Sequence, residues 1–149
     1  MNNLKKLWAL PCSEQYLLLR AGLLLVAAEA GLRLLPFRNL LAWAQNRSAH
    51  AAAEPSPERI AYLVDVAARH TLLRGSLRPT CLRKSLVLCK LLSRRGRDAR
   101  LVIGTGSLAG NFQAHAWVEI DGQRLGTPAD SDYRVLVTFS GHSAGRQIA

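Results

Sequence analysis

The sequence predicts an α+β fold, with N-terminal helices and a central cysteine-bearing helix packed on a small antiparallel sheet. Three observations carry that expectation. Apolar residues recur at helical spacing through the first half and on to Gly96. After Gly96 the texture changes to short runs rich in β-branched and aromatic residues. Asp121-Gly122 separates two of those runs, the strongest short-range hairpin signal in the chain. With 149 residues, 49% apolar and 20% charged, the chain has the make-up of one globular domain rather than of a disordered tail or coiled coil. The expected domain covers 1–149, with 1–75 as a helical front half and 76–149 as the cysteine helix and sheet.

Taken in order, Ser13 and Glu14 open a first helix that runs to Leu35 and stops before Pro36. Its body, "YLLLRAGLLLVAAEAGLRLLPF", is the most apolar stretch present. Arg20, Glu29 and Arg33 interrupt it, leaving only Ala21 to Ala28 uncharged, whereas a membrane span needs about 20 residues. A buried or interface helix is expected, with peripheral membrane contact left open. The run Leu7 to Leu10 is too short for a signal sequence, and Pro11 stands where a lipoprotein site needs a small residue. A short helix is expected over Asn39 to Gln45, then a loop over 48–58. Ser56 caps a third helix with Pro57 at its first position, running to about Leu73, and Ile60, Leu63, Val64 and Ala67 form its buried stripe.

The next helix is "TCLRKSLVLCKLLSRRG", residues 80–96, capped by Thr80. Leu82, Leu86 and Cys89 line one side and Leu88, Leu91 and Leu92 the other, so neighbours must wrap most of it. Gly96 ends it, and the arginines of its last turn complement the negative end of the helix dipole. Strands are expected at "ARLVIGT", "AHAWVEI", "QRL" and "YRVLVTF", followed from Ser140 by a frayed tail rich in glycine and serine.

The net charge of +10 admits an acidic partner, a membrane surface or nucleic acid. The one tight basic cluster, Arg94, Arg95, Arg97 and Arg100, has no interleaved aromatic residues on which bases could stack, which argues against nucleic acid. The cysteines are Cys12, Cys81 and Cys89, an odd number that fits reduced thiols in the cytoplasm. Within one helix Cys81 and Cys89 stand about 12 Å apart, beyond disulfide reach. No CxxC or HxxxH spacing suggests a metal, and nothing implies a cofactor.

Cys81, in the first turn of its helix, faces unpaired backbone N–H groups and the positive dipole end, which favour the thiolate; Arg83 and Lys84 are expected to add to that. The alternative is that Cys81 packs under Pro79. His115 is either a satisfied core histidine or the base that takes the thiol proton. The order cysteine helix, histidine strand and acid beyond favours the second. If Asp121-Gly122 is a two-residue turn, Ile120 faces Gln123, and continued pairing sets His115 opposite Pro128. Residues 126, 128 and 130 then share the histidine's face. Asp130 becomes the nearest carboxylate to the ring, unless it is a loop residue capping the turn before Tyr133. Glu119 shares that face but lies nearer the turn. His50, His70 and His142 are assigned to the surface.

Two segments, "CLRKSLVLCKLLSRRGRDARLVIGTG" and "FQAHAWVEIDGQRLGTPADSDYRVL", resemble the lasso-peptide leader peptidases, the B proteins of lasso-peptide gene clusters. Those are transglutaminase-like, papain-related cysteine hydrolases, and the leucine-rich helix ending in "LLPF" also fits their helical front half. The resemblance implies a transglutaminase/papain-like core, Cys81 as nucleophile and His115 as base. It implies removal of the leader from a ribosomally made precursor peptide, freeing the core amine for a separate ATP-dependent cyclase. It also implies the split form, whose leader-recognition protein is a separate small partner. Family members often carry Asp where this chain has Thr127, so Asp130 either takes that role or the triad is weakened. Two other readings keep the fold: a non-catalytic scaffold that presents the precursor, and a transglutaminase-like acyl transferase.

Overall fold

The computed structural model describes residues 10–47, 55–70, 80–108, 111–126, 132–140 and 143–148. Among these residues there are four helices, α1 (Cys12–Leu34), α2 (Phe37–Gln45), α3 (Pro57–His70) and α4 (Cys81–Ser93). Five strands follow: β1 (Arg100–Leu108), β2 (Asn111–Ile120), β3 (Gln123–Leu125), β4 (Tyr133–Ser140) and β5 (Ser143–Ile148). The strands form one antiparallel sheet in the order β3-β2-β1-β4-β5. The α+β expectation is met.

Two helix starts differ from the expectation, for one reason. α1 begins at Cys12, so Ser13 lies inside its first turn, and α2 begins at Phe37 rather than Asn39. In both, the preceding proline, Pro11 or Pro36, has its φ locked near the helical value and its carbonyl accepts the first helical N–H bonds. Neither helix has a side-chain cap. The other two caps are as expected: the Arg59 amide donates to Ser56 Oγ at 3.3 Å and the Arg83 amide to Thr80 Oγ1 at 3.5 Å. α3 is described to His70, and the expected extension to Leu73 lies outside the described residues.

Helix α4 is the axis of the molecule. Every residue from Ser85 to Ser93 is buried, as a helix apolar on two sides requires. Leu17, Ala21, Leu25 and Ala28 of α1, Leu40 and Ala44 of α2, and the predicted stripe of α3 enclose it in one core. The sheet closes that core with Leu101, Val118, Ile120 and Leu125.

The Asp121-Gly122 hairpin is a two-residue turn with both φ angles positive, +49° and +80°, as the type I′ geometry needs. It pairs Ile120 with Gln123 as expected and continues to Val118–Leu125. There β3 ends, at Gly126 with φ +80°. The extrapolated pairing to Pro128 falls outside the described residues, as do Thr127 and Asp130. The expected frayed tail is corrected: Ser143–Ile148 forms β5, pairing Val137 with Ile148 and Ser140 with Ser143. The reason is that β4 offers an outer edge of unpaired backbone groups, which bond a following segment whatever its side chains.

On the sheet face away from the helices, a bulge in the β1–β4 pairing between Ile103 and Gly104 adjoins a close contact. A Cβ at Gly104 would lie 2.5 Å from Trp117 Cη2 and 2.6 Å from the Arg134 carbonyl oxygen. Trp117 is fully buried and the carbonyl is backbone, so neither yields easily. Gly104→Ala is therefore expected to destabilise the protein by about 2–3 kcal/mol, read as a lower urea midpoint at unchanged slope. An unchanged midpoint would mean that the Trp117 ring is free to move.

Candidate active site

Cys81 is the first helical residue of α4, half-buried and reduced. Three contacts fix how α4 lies along the sheet. Ser85 Oγ donates to the Ala116 carbonyl at 2.9 Å. Leu88 packs at Gly126, where an added Cβ would meet it at 3.8 Å. Cys89 Sγ lies 3.6 Å from the Ala99 carbonyl, next to Arg100, which pairs with Glu119. So α4 runs parallel to β2. The step from Ser85 back to Cys81 is one helical turn, about 6 Å, or roughly two residues of strand. That brings Cys81 level with Ala114 and His115. Among the described residues β3 pairs only with Val118–Ile120, and at Ala116, beyond that pairing, α4 meets β2 through Ser85.

Sheet alternation turns His115 to the face shared with Trp117 and Val102, opposite to Val118 and Ile120. The imidazole stacks on Tyr133 at 5.0 Å and 22°, and lies 6.3 Å and 19° from Trp117. Tyr133, opposite Gly106, reaches it across β1, where Gly104 and Gly106 have no side chains in the way. His115 Nε2 is buried with no hydrogen-bond partner among the described residues. Glu119 is otherwise engaged. It accepts from Trp117 Nε1 at 3.0 Å and pairs with Arg124 at 3.6 Å, whose guanidinium stacks over the Trp117 ring. The carboxylate that the strand pattern set aside is thus unavailable to the ring.

The expectation that both basic neighbours support the thiol is corrected for Arg83. Its guanidinium turns into the helical layer and meets Glu29 at 2.6 Å, with both side chains mostly buried. Lys84 pairs with Asp65 at 3.1 Å, and its charge reaches His115. Burial lowers the His115 pKa below its ordinary 6.5, Lys84 acts in the same direction, and the Gly126 carbonyl opposes them. The unfolded chain therefore takes up this proton at higher pH than the folded one. The resulting stability is complete above 6.5 and is lost as pH falls below it. Urea midpoints should decline as pH falls from 7 through 6.5 and below, and His115→Gln should flatten the decline. Parallel declines in both proteins would dismiss a buried neutral ring.

Sequence reading missed Ser85 and Tyr133 as site residues. Ser85 stood only as part of a signature, and Tyr133 only as a strand start. The alternating glycines of β1 were the available signal, since paired strand positions without side chains invite an aromatic ring from a neighbour. His70 is exposed, as expected; His50 and His142 lie outside the described residues. Among the described residues no group of His, Cys, Asp and Glu could hold a metal, and no helix is long and apolar enough to cross a membrane.

No curated protein and no solved structure matches the chain significantly. A family model described as transglutaminase-like superfamily matches residues 22–138, a stretch running from α1 through β4 that contains Cys81, His115 and the intervening hairpin. That superfamily includes cysteine peptidases and acyltransferases. With well over half its length covered, from the helical layer to the fourth strand, this chain belongs to the transglutaminase-like superfamily.

Proposed function

We propose that the protein is a cysteine peptidase that removes the leader from a ribosomally made lasso-peptide precursor. The observation that supports this most is the Ser85–Ala116 contact, which ties α4 alongside β2 so that one helical turn back from Ser85 comes to the level of His115.

In this reading Cys81, as thiolate, attacks the carbonyl carbon at the leader–core junction. The Cys81 backbone N–H, at a helix start where amides lack helical partners, stabilises the oxyanion. The C–N bond breaks, and the core's amine leaves with the proton from the His115 imidazolium. Water then adds to the thioester, His115 takes its proton, and the leader departs as a carboxylic acid while the thiol is restored. Asp130 is the proposed third group for the imidazole, with the Thr127 position as the alternative. The released core amine is the substrate of a separate cyclase, and a separate leader-recognition protein delivers the precursor.

The test mixes precursor, recognition protein and this chain and reads the masses of the products. A free core and a leader acid are expected with the wild type, and neither with Cys81→Ala. An intact precursor with the wild type would favour the presenting scaffold instead. Acyl transfer is the second reading, favoured by a superfamily that contains both chemistries. Added hydroxylamine or a primary amine would give a leader amide rather than the acid as main product if it holds. For the acid, Asp130→Asn is expected to slow turnover by about a hundredfold. Equal rates for Asp130→Asn, Thr127→Ala and wild type would remove both candidates.

A further inference from the structure

Helix α1 is one-sided in an unusual way. Leu17, Ala21, Leu25 and Ala28 face the core, yet the opposite face is also apolar. Tyr16, Leu19 and Leu23 are each 65% exposed, Val26 47% and Leu34 80%. From Tyr16 to Val26 they recur every three or four residues, and Leu34 follows about two turns on past exposed Ala30, so the stripe is about five turns, or 27 Å, long. A contiguous apolar patch of that length on a soluble surface marks a contact.

The charges around the stripe say what kind. Arg20 stands on one rim and Arg33 on the other, by helical spacing. Both carboxylates of α1 are turned away from it: Glu14 is bound by Arg59 at 2.7 and 2.9 Å, and Glu29 by Arg83 at 2.6 Å and Arg33 at 2.7 Å. Beyond Arg20 the cationic rim continues onto the end of α4. There Arg20, Arg94 and Arg95 have no carboxylate partner among the described residues, while Lys90 beside them is buried, its Nζ donating to the Trp43 carbonyl at 2.6 Å, and burial, Arg94 and Arg20 lower its pKa. Arg95 Nε is buried without a hydrogen bond. The segment ahead of α1 adds Lys5, Lys6 and Trp8 in sequence.

We infer that the outer face of α1 seats the protein on an anionic lipid bilayer, lying in the plane of the interface with its leucines in the acyl boundary and its rim arginines among the lipid phosphates. An apolar stripe bordered by arginines is the pattern of helices that lie in a membrane interface, and arginine stems reach from the apolar boundary to the headgroups. A second copy of the chain fits worse, since pairing two such faces would bring arginine rim against arginine rim with no outward acid to relieve them. Spanning is ruled out for α1, which is too charged to cross. The inference is independent of the peptidase reading, because its assay reads binding and not cleavage.

The test is co-sedimentation of the full chain with vesicles of phosphatidylcholine alone and of phosphatidylcholine with phosphatidylglycerol in equal parts. Binding is expected only to the anionic vesicles, weakening as salt rises. Leu19→Ser with Leu23→Ser should reduce it at least about tenfold. Arg20→Gln with Arg95→Gln should reduce it by about tenfold as well. A Leu23→Trp protein keeps the face apolar, and its added fluorescence should be quenched by brominated acyl chains. Failure of the wild type to pellet with anionic vesicles would overturn the inference. So would salt-dependent binding indifferent to the leucine changes with the tryptophan unquenched, or concentration-dependent dimerisation that the serine changes abolish in the absence of lipid.

Discussion

Cys81→Ala is expected to lower turnover by at least about a thousandfold, because removing the proposed nucleophile leaves only binding and polarisation. The same change should shift the thermal midpoint by no more than about 2 °C, since the thiol is half-buried at a helix end. Cys89 is the matched control on the same helix. It is fully buried among α4's neighbours, and burial pushes its thiol up to about 11, so at neutral pH it stays protonated and unreactive. Cys89→Ala should keep turnover near wild type and cost about 1 kcal/mol of stability. Iodoacetamide followed by peptide mapping separates the two in one tube: the folded protein should be modified at Cys12 and Cys81, and at Cys89 only after unfolding. An active Cys81→Ala with an inactive Cys89→Ala would reverse the assignment.

Glu29→Gln is expected to destabilise the fold by about 3 kcal/mol, a fall in midpoint of about 10 °C. Glu29 and Arg83 join α1 to the first turn of α4 through a mostly buried contact of 2.6 Å, and Arg33 completes the group. Removing the carboxylate leaves the Arg83 charge in a site of low polarity without its counter-ion. Replacing both, Glu29→Leu with Arg83→Met, should recover most of the loss, because apolar side chains of similar volume carry no desolvation cost there. The recovered double variant then asks a second question. If the ion pair also sets the angle at which Cys81 meets the sheet, turnover stays low while stability returns. Equal stability of Glu29→Gln and wild type would mean that Arg83 draws its compensation from elsewhere.

Burial patterns were the most legible part of the chain. The stripe Ile60, Leu63, Val64 and Ala67 is buried residue for residue, and the wrapped character of α4 follows from its having leucines on two sides. The hairpin was legible because Asp-Gly has few alternatives to a tight turn with positive φ. The helix starts were misread where a proline precedes them, since its carbonyl and fixed φ open the helix, work that at the first of them Ser13 was expected to do. The charges were least legible. Arg83 neighbours Cys81 in sequence, yet its partner is Glu29, more than fifty positions away.

The sequence by itself determined the order of the elements, the positions of Cys81 and His115 on a helix start and a strand, and the apolar character of both faces of α1, because each depends on residue type and local spacing. Only the tertiary structure decided that Ser85 ties α4 to Ala116, that Tyr133 stacks on His115 across two glycines, and that "SAGRQI" becomes a fifth strand. Those depend on which surfaces meet across long stretches of chain, and a strand edge or an open carbonyl takes its partner by proximity rather than by any pattern in the partner's own residues.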